Sequence, residues 1–366
     1  NSFCTLLATM EHAVNDEKGS NKPPPFTSEQ VKLLFSNIFV GGAIGAVAKT
    51  VAAPFERVKI LYQVEGLSKQ GTPNVRSVGA WRCMFDLARK PTSSRLFDNA
   101  LMRGNGADCL RYVPYVVCAN ALNGTLVRPA YSVDDGDFLG LNKKLMALWM
   151  YGGLAGTFLA FFCHPFDYAH VCLAGDRAQF GTVSECIVWT MRAHGVGALY
   201  HGFYLSAISA FLFRGVQMCG FAGLYPTMTE TLYGRPKGET MLSTWREKIN
   251  TTFPSTAGFV SQVGLALSAQ AVALCVTYPL MCMRNRMMMT AAMSREQRTY
   301  GNAAYWFGPR RWWHETADTF AQRRREVGAF KALYRGFHLE LARTAIVTTI
   351  IAGHAAFWRE KYKPHE

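Results

Sequence analysis

Residues 251–283 contain no Asp, Glu, Lys or Arg. A helix needs about 20 such residues to cross a bilayer. Residues 145–166 are also free of charge. Four further apolar regions are broken only by single charges: 33–48 ends at Lys49, 112–127 follows Arg111, 202–229 is split by Arg214, and 344–358 follows Arg343. These runs predict six spans, at about 30–64, 106–127, 142–174, 204–226, 254–290 and 337–361. The alternative is a soluble chain with large buried helices, and the mean hydropathy of +0.03 leans that way. Six apolar runs of similar length, joined by basic connections, weigh more heavily towards a polytopic membrane protein.

Only 17% of the residues are charged and 49% are hydrophobic. The net charge of +14 implies anionic partners: nucleotides, acidic lipid headgroups or nucleic acid. A lone charge inside a span is expensive in lipid and normally faces a polar interior, so Lys49, Arg111 and Arg343 suggest an anion pathway. Ten cysteines show no CxxC pair and no metal-ligand spacing, which predicts reduced thiols. The first 20 residues lack a long apolar region and do not read as a secretory signal.

Three segments repeat one pattern: an apolar run, a proline, then a basic residue five positions on. They are AAPFERVKILYQ with Pro54, Glu56 and Lys59, CHPFDYAHVCLA with Pro165, Asp167 and His170, and TYPLMCMRNRMM with Pro279, Met281 and Arg284. Prolines of this kind are expected to kink long helices. Gly41/Gly45 and Gly152/Gly156 precede the first two prolines and predict close helix approach, whereas the third repeat has Ala266 and Gln270 there. Each proline is followed by a second landmark: ALMRGN at Gly104, ALYHGF at Gly202 and ALYRGF at Gly336. Seven residues beyond these glycines stand Arg111, Ser209 and Arg343. Seven residues is about two helical turns, so these side chains should lie at equal depth, as in a solute site. VGAWRCMFDLAR, VSECIVWTMRAHG and WWHETADTFAQRRREVG are candidate connecting helices.

With these motifs in phase, the sequence resembles the mitochondrial carrier family, and within it the ADP/ATP carriers. The family pattern is Pro-x-(Asp/Glu)-x-x-(Lys/Arg), three times. AKTVAAPFERVKILYQ and RGNGADCLRYVP resemble the first two helices of an ADP/ATP carrier, and RNRMMM differs at one position from its RRRMMM stretch. The resemblance implies an all-α membrane protein of six transmembrane helices, in three pseudo-symmetric two-helix repeats with short matrix-side helices. The repeats would occupy 28–132, 133–250 and 251–366, after an N-terminal extension at 1–27.

The resemblance also implies residue roles. Lys49, Arg111 and Arg343, with Arg284 and Arg286, would bind nucleotide phosphate, a task suited to fixed and bidentate cations. Ser209, Ala210 and Phe213 would form the adenine pocket, where the family has Gly, Ile and Tyr. A solvated helix end is the alternative for Arg284 and Arg286, and packing is the expected role of the three methionines. A matrix gate would pair Glu56 with His170, Asp167 with Arg284, and Met281 with Lys59, braced by Gln63. Tyr334, Arg335 and Gly336 resemble a cardiolipin motif. The implied solutes are ADP and ATP, the location is the mitochondrial inner membrane, and no nucleic acid, cofactor or catalytic residue is expected.

Several positions depart from that pattern. Met281 cannot pair with Lys59, which lacks a partner if buried unless an acid comes from elsewhere. His170 pairs electrostatically with Glu56 only when protonated. Asn285 replaces the middle arginine, and no acid–base pattern stands at the cytoplasmic-gate positions Gly124/Val127, Ala222/Tyr225 and Ala355/Trp358. Residues 226–253 and 291–326 read as extended polar connections that would suit a protein interface. Two functions follow: adenine-nucleotide exchange, or a carrier fold recruited as a structural subunit of a larger inner-membrane complex. A carrier for another anionic nucleotide or cofactor is a third reading.

Overall fold

The computed structural model describes residues 28–65, 79–89, 100–122, 125–126, 133, 137–138, 141–175, 180–233, 256–291 and 309–361. Six long helices carry the fold: α1 (Ser28–Gln63), α3 (Asn105–Leu122), α4 (Lys143–Ala174), α6 (Phe203–Tyr233), α7 (Thr256–Ala291) and α10 (Phe337–Lys361). Shorter helices lie between them: α2 (Ala80–Arg89), α5 (Val183–His194), α8 (Pro309–Val327) and α9 (Ala329–Tyr334). The described exception to helix and turn is a two-residue hairpin, Asp137–Phe138 against Leu141–Asn142. Most helix ends agree with the sequence to within three residues. α3 stops earlier, at Leu122, and α6 continues to Tyr233, so part of the expected connection 226–253 is helical. The extension at 1–27 and residues 234–255 and 292–308 lie outside the described residues. So do Gly124 and Val127, and the side chains of Ala222, Tyr225, Ala355 and Trp358.

Each long helix packs on the next in chain order, and α10 returns to α1 to close a ring. The three helices that carry the repeated proline motif, α1, α4 and α7, also meet one another in pairs. Their C-terminal halves share an apolar cluster in which Ile60 and Val64 pack with Tyr168, Cys172, Met288 and Met289. The methionines therefore serve packing, as expected from their flexible apolar side chains.

The glycines fix the start of each even-numbered span. Gly104, Gly202 and Gly336 adopt φ of +90°, +75° and +81°, a left-handed conformation that a side chain would strain. Each carbonyl then accepts from the amides three and four residues on, at 3.1–3.3 Å. Helix approach is equally specific. A Cβ on Gly45 would stand 2.1 Å from the Tyr112 ring, and one on Gly156 would stand 2.7 Å from the Ala210 carbonyl oxygen. Gly152 is also tight, against Met218, whereas Gly41 has open space around it. In the third repeat Gln270 instead accepts from Thr348 on α10 at 3.2 Å.

Polarity is distributed as lipid requires. Val47, Val51, Phe158, Phe162, Val272 and Val276 are exposed, while Lys49, Glu56, Lys59, Asp108, Asp167 and Glu340 are buried. Among the described residues, three helical stretches are long and apolar enough to span a membrane on composition alone: Lys143–Ala174, Val196–Gly220 and Val263–Thr290.

Candidate solute site and gate

Those charges form one connected network. From α1, Lys49 Nζ donates to the Asp108 carboxylate at 2.7 Å and to the Asp108 carbonyl at 3.0 Å. Arg111, one turn after Asp108 on α3, holds the same carboxylate at 2.6 Å and reaches Asp167 on α4, also at 2.6 Å. Arg284 on α7 approaches the other Asp167 oxygen at 3.6 Å. On the far side, Arg343 of α10 lies 2.6 Å from Glu56, 3.1 Å from Glu340 and 3.8 Å from Asp108. Lys59 closes the circuit, donating to both Glu56 oxygens at 2.8 and 2.9 Å and to Glu340 at 2.7 Å. Such charges are tolerated at bilayer depth because each is paired and hydrogen-bonded.

Two expected gate contacts are present and one is replaced. Asp167 meets Arg284, but Arg111 is its shorter partner. His170 Nε2 lies 3.4 Å from Glu56, while its Nδ1 is 2.9 Å from the Gly104 carbonyl. A carbonyl only accepts, so Nδ1 carries a hydrogen, and Nε2 attracts Glu56 fully only when it too is protonated. Lys59 takes Glu340 from α10, and Met281 contributes no charge. The sequence reading missed Glu340 and Asp108. Their signal was available: both stand four residues after a landmark glycine, and Ser206 holds the same place in the second repeat.

The α1–α7 seam is sealed largely without ion pairs. Asn285 donates to Gln63 at 2.6 Å, and Gln63 donates to the Tyr278 hydroxyl at 3.0 Å. Arg284 turns back onto the Asn285 side-chain oxygen at 3.1 and 3.2 Å. Arg286 is 1% exposed and donates to the carbonyls of Gln63 and Glu65 at 3.0 and 3.1 Å, capping the end of α1. It thus lies at a helix end rather than in the Lys49–Arg111–Arg343 network.

The expected adenine pocket is less defined. Ser209 is buried, and its hydroxyl donates to the Ser206 carbonyl at 3.1 Å. Ala210 packs its backbone against Gly156, and Phe213 is half-buried. Next in sequence, Arg214 crosses to the Tyr115 hydroxyl at 3.4 Å and bonds Gln217 at 2.9 Å. Tyr115 stacks on Tyr112, whose ring lies 5.1 Å from Lys49 Nζ. Tyr112, Tyr115 and Arg214 were not named as site residues from the sequence, yet they connect to Lys49 through these contacts.

The three lipid candidates all have partners within the chain. Arg335 lies 2.5 Å from Glu65 and over the Tyr62 ring. The Tyr334 hydroxyl donates to the Cys275 carbonyl at 2.9 Å. Cys275 stands four residues before Pro279, so this carbonyl is the one the proline leaves without an amide. Gly336 supplies the positive φ described above.

The sequence profile described as "Mitochondrial carrier protein" matches residues 31–128, 142–233 and 255–363. The chain belongs to the mitochondrial carrier family. Its three matched segments correspond to the three proline-bearing helix pairs of the ring. The carrier is 29% identical over 266 residues to ADP/ATP translocase 2 of Tachyglossus aculeatus aculeatus, covering 69% of this chain and 77% of the relative. It is 29% identical over 275 residues to ADP/ATP translocase 3 of Homo sapiens, covering 72% and 80% respectively. ADP/ATP translocase 4 of Macaca fascicularis is 28% identical over 294 residues, covering 76% of this chain and 82% of the relative.

Proposed function

We propose that this carrier exchanges adenine nucleotides across the mitochondrial inner membrane by alternating access. The observation that supports this most is the placement of Arg111 and Arg343. They stand at equivalent turns of α3 and α10 and converge on acids of the proline-bearing helices, Asp167 and Glu56. A phosphate that bound these guanidiniums would compete with the carboxylates that tie α3 to α4 and α10 to α1. Binding and opening would then be one event, since a ligand shifts a conformational equilibrium only through contacts that differ between states. Lys49 and Arg284 extend the basic surface, with Ser209, Ala210 and Phe213 beside the base, while Arg286 stays at the end of α1. Glu56, Lys59, Gln63, Asp167, His170 and Arg284 form the matrix gate, without a charge from Met281. Cardiolipin is the proposed lipid at Tyr334, Arg335 and Gly336.

The test is uptake of labelled ADP into liposomes holding the purified carrier. Uptake that depends on internal nucleotide supports exchange. A second reading, a carrier fold recruited as a structural subunit of an inner-membrane complex, draws on a specific observation: Lys49, Arg111 and Arg343 are each bonded to a carboxylate already. Folded protein that shows no uptake, and that copurifies with a defined complex, supports that reading instead.

A further inference from the structure

The connected network at the site joins five cations, Lys49, Lys59, Arg111, Arg284 and Arg343, with four carboxylates, Glu56, Asp108, Asp167 and Glu340. These nine side chains carry one positive charge in excess. Two of the acids stand outside the Pro-x-acid motif. Asp108 and Glu340 lie on α3 and α10, three residues before Arg111 and Arg343, and each bonds the cation that follows it. In the second repeat both members are absent together: Ser206 holds the acid position and Ser209 the cation position. Acid and base thus occur as a unit within this chain. Asp108 faces Lys49 and Arg111 at 2.7 and 2.6 Å and Arg343 at 3.8 Å, so it touches every cation proposed above for the phosphates except those on α7.

We propose that Asp108 and Glu340 are specificity-determining residues that offset the charge of the solute site and favour the less anionic nucleotides, AMP above ADP above ATP. This deepens, and rests on, the reading of the site as a nucleotide site. The physical reason is direct. A phosphate must replace a carboxylate as the partner of each cation, and every further negative charge on the solute is repelled by the displaced acid, which stays in a poorly screened interior. A merely bracing role differs in outcome. If Asp108 and Glu340 only oriented Arg111 and Arg343, removing them would weaken all ligands alike.

The experiment measures dissociation constants of AMP, ADP, ATP and tripolyphosphate for the purified full chain and for Asp108→Asn, Glu340→Gln and the double variant. Each isosteric change removes one charge and keeps the side-chain volume, and the single variants serve if the double variant does not fold. The expected result is at least tenfold tighter ATP binding in the variants with less than threefold change for AMP. An AMP-to-ATP affinity ratio that the variants leave unchanged, including an equal loss for all nucleotides, overturns the proposal. Variants that gain tripolyphosphate binding while no form binds any nucleotide uphold the charge role and refute the nucleotide reading. No polyanion bound by folded wild type or variants refutes both.

Discussion

Lys59 on α1 and Glu340 on α10 form a 2.7 Å ion pair between side chains that are 4% and 3% exposed. The pair joins the first repeat to the third. It does so where Met281 on α7 provides no acid, so the seam is held by a residue from the next span instead. Lys59 also keeps Glu56, one turn away. Glu340→Gln should therefore cost less than the 3–5 kcal/mol of a fully orphaned buried charge, about 1–3 kcal/mol. Thermal unfolding in detergent should show the loss. Adding Met281→Asp to Glu340→Gln should recover part of it, because an acid then returns to the same seam. No recovery would mean that Met281 does not face Lys59.

The small-residue positions give a paired prediction. Gly45→Ala places a methyl group against the Tyr112 ring, where a Cβ would sit at 2.1 Å, and overpacking of this kind costs about 1–3 kcal/mol. Gly41→Ala meets nothing within 4 Å and should be neutral or slightly stabilising, since Ala is the better helix former. Melting temperatures of the two variants should move in opposite directions or differ clearly. Equal shifts would contradict the close α1–α3 contact.

Asn285 departs from the expected arginine, and the structure gives the substitution a purpose. Its amide spans to Gln63 at 2.6 Å within a buried seam, 2% exposed. Restoring the family residue by Asn285→Arg should destabilise the carrier by about 2–4 kcal/mol, because it buries a further cation beside Arg284 and removes the amide bond. A raised melting temperature would show that an acid lies within reach.

Tyr334→Phe removes the hydroxyl that serves the Cys275 carbonyl ahead of Pro279. A net cost of about 1 kcal/mol is expected, typical of one hydrogen bond. If Tyr334 acted only through lipid, the loss would vanish in lipid-free detergent.

The spans and the three prolines were legible because each is a local property: apolar length, a missing amide. The landmark glycines were legible as a repeat, whereas their positive φ came from the structure. The partners of the charges were not. Repeat spacing fixes depth along a helix, and it placed Arg111 and Arg343 level with each other. It does not say which of several acids at similar depth a long guanidinium will take. Arg111 therefore joined Asp167, which the motif assigns to Arg284. Glu340 was hidden for a related reason: it belongs to the α10 turn that carries Arg343, not to the Pro-x-acid motif that draws attention to gate carboxylates. The family resemblance made Arg286 a solute cation, yet the carbonyls at the end of α1 determine its place.

The most direct test of the site is nucleotide-dependent thermal stabilisation of the purified carrier and of Arg111→Ala and Arg343→Ala. ADP should raise the unfolding temperature of the wild type and leave both variants unchanged, although each folds. Equal stabilisation of all three proteins would contradict the assignment of Arg111 and Arg343 as the solute cations.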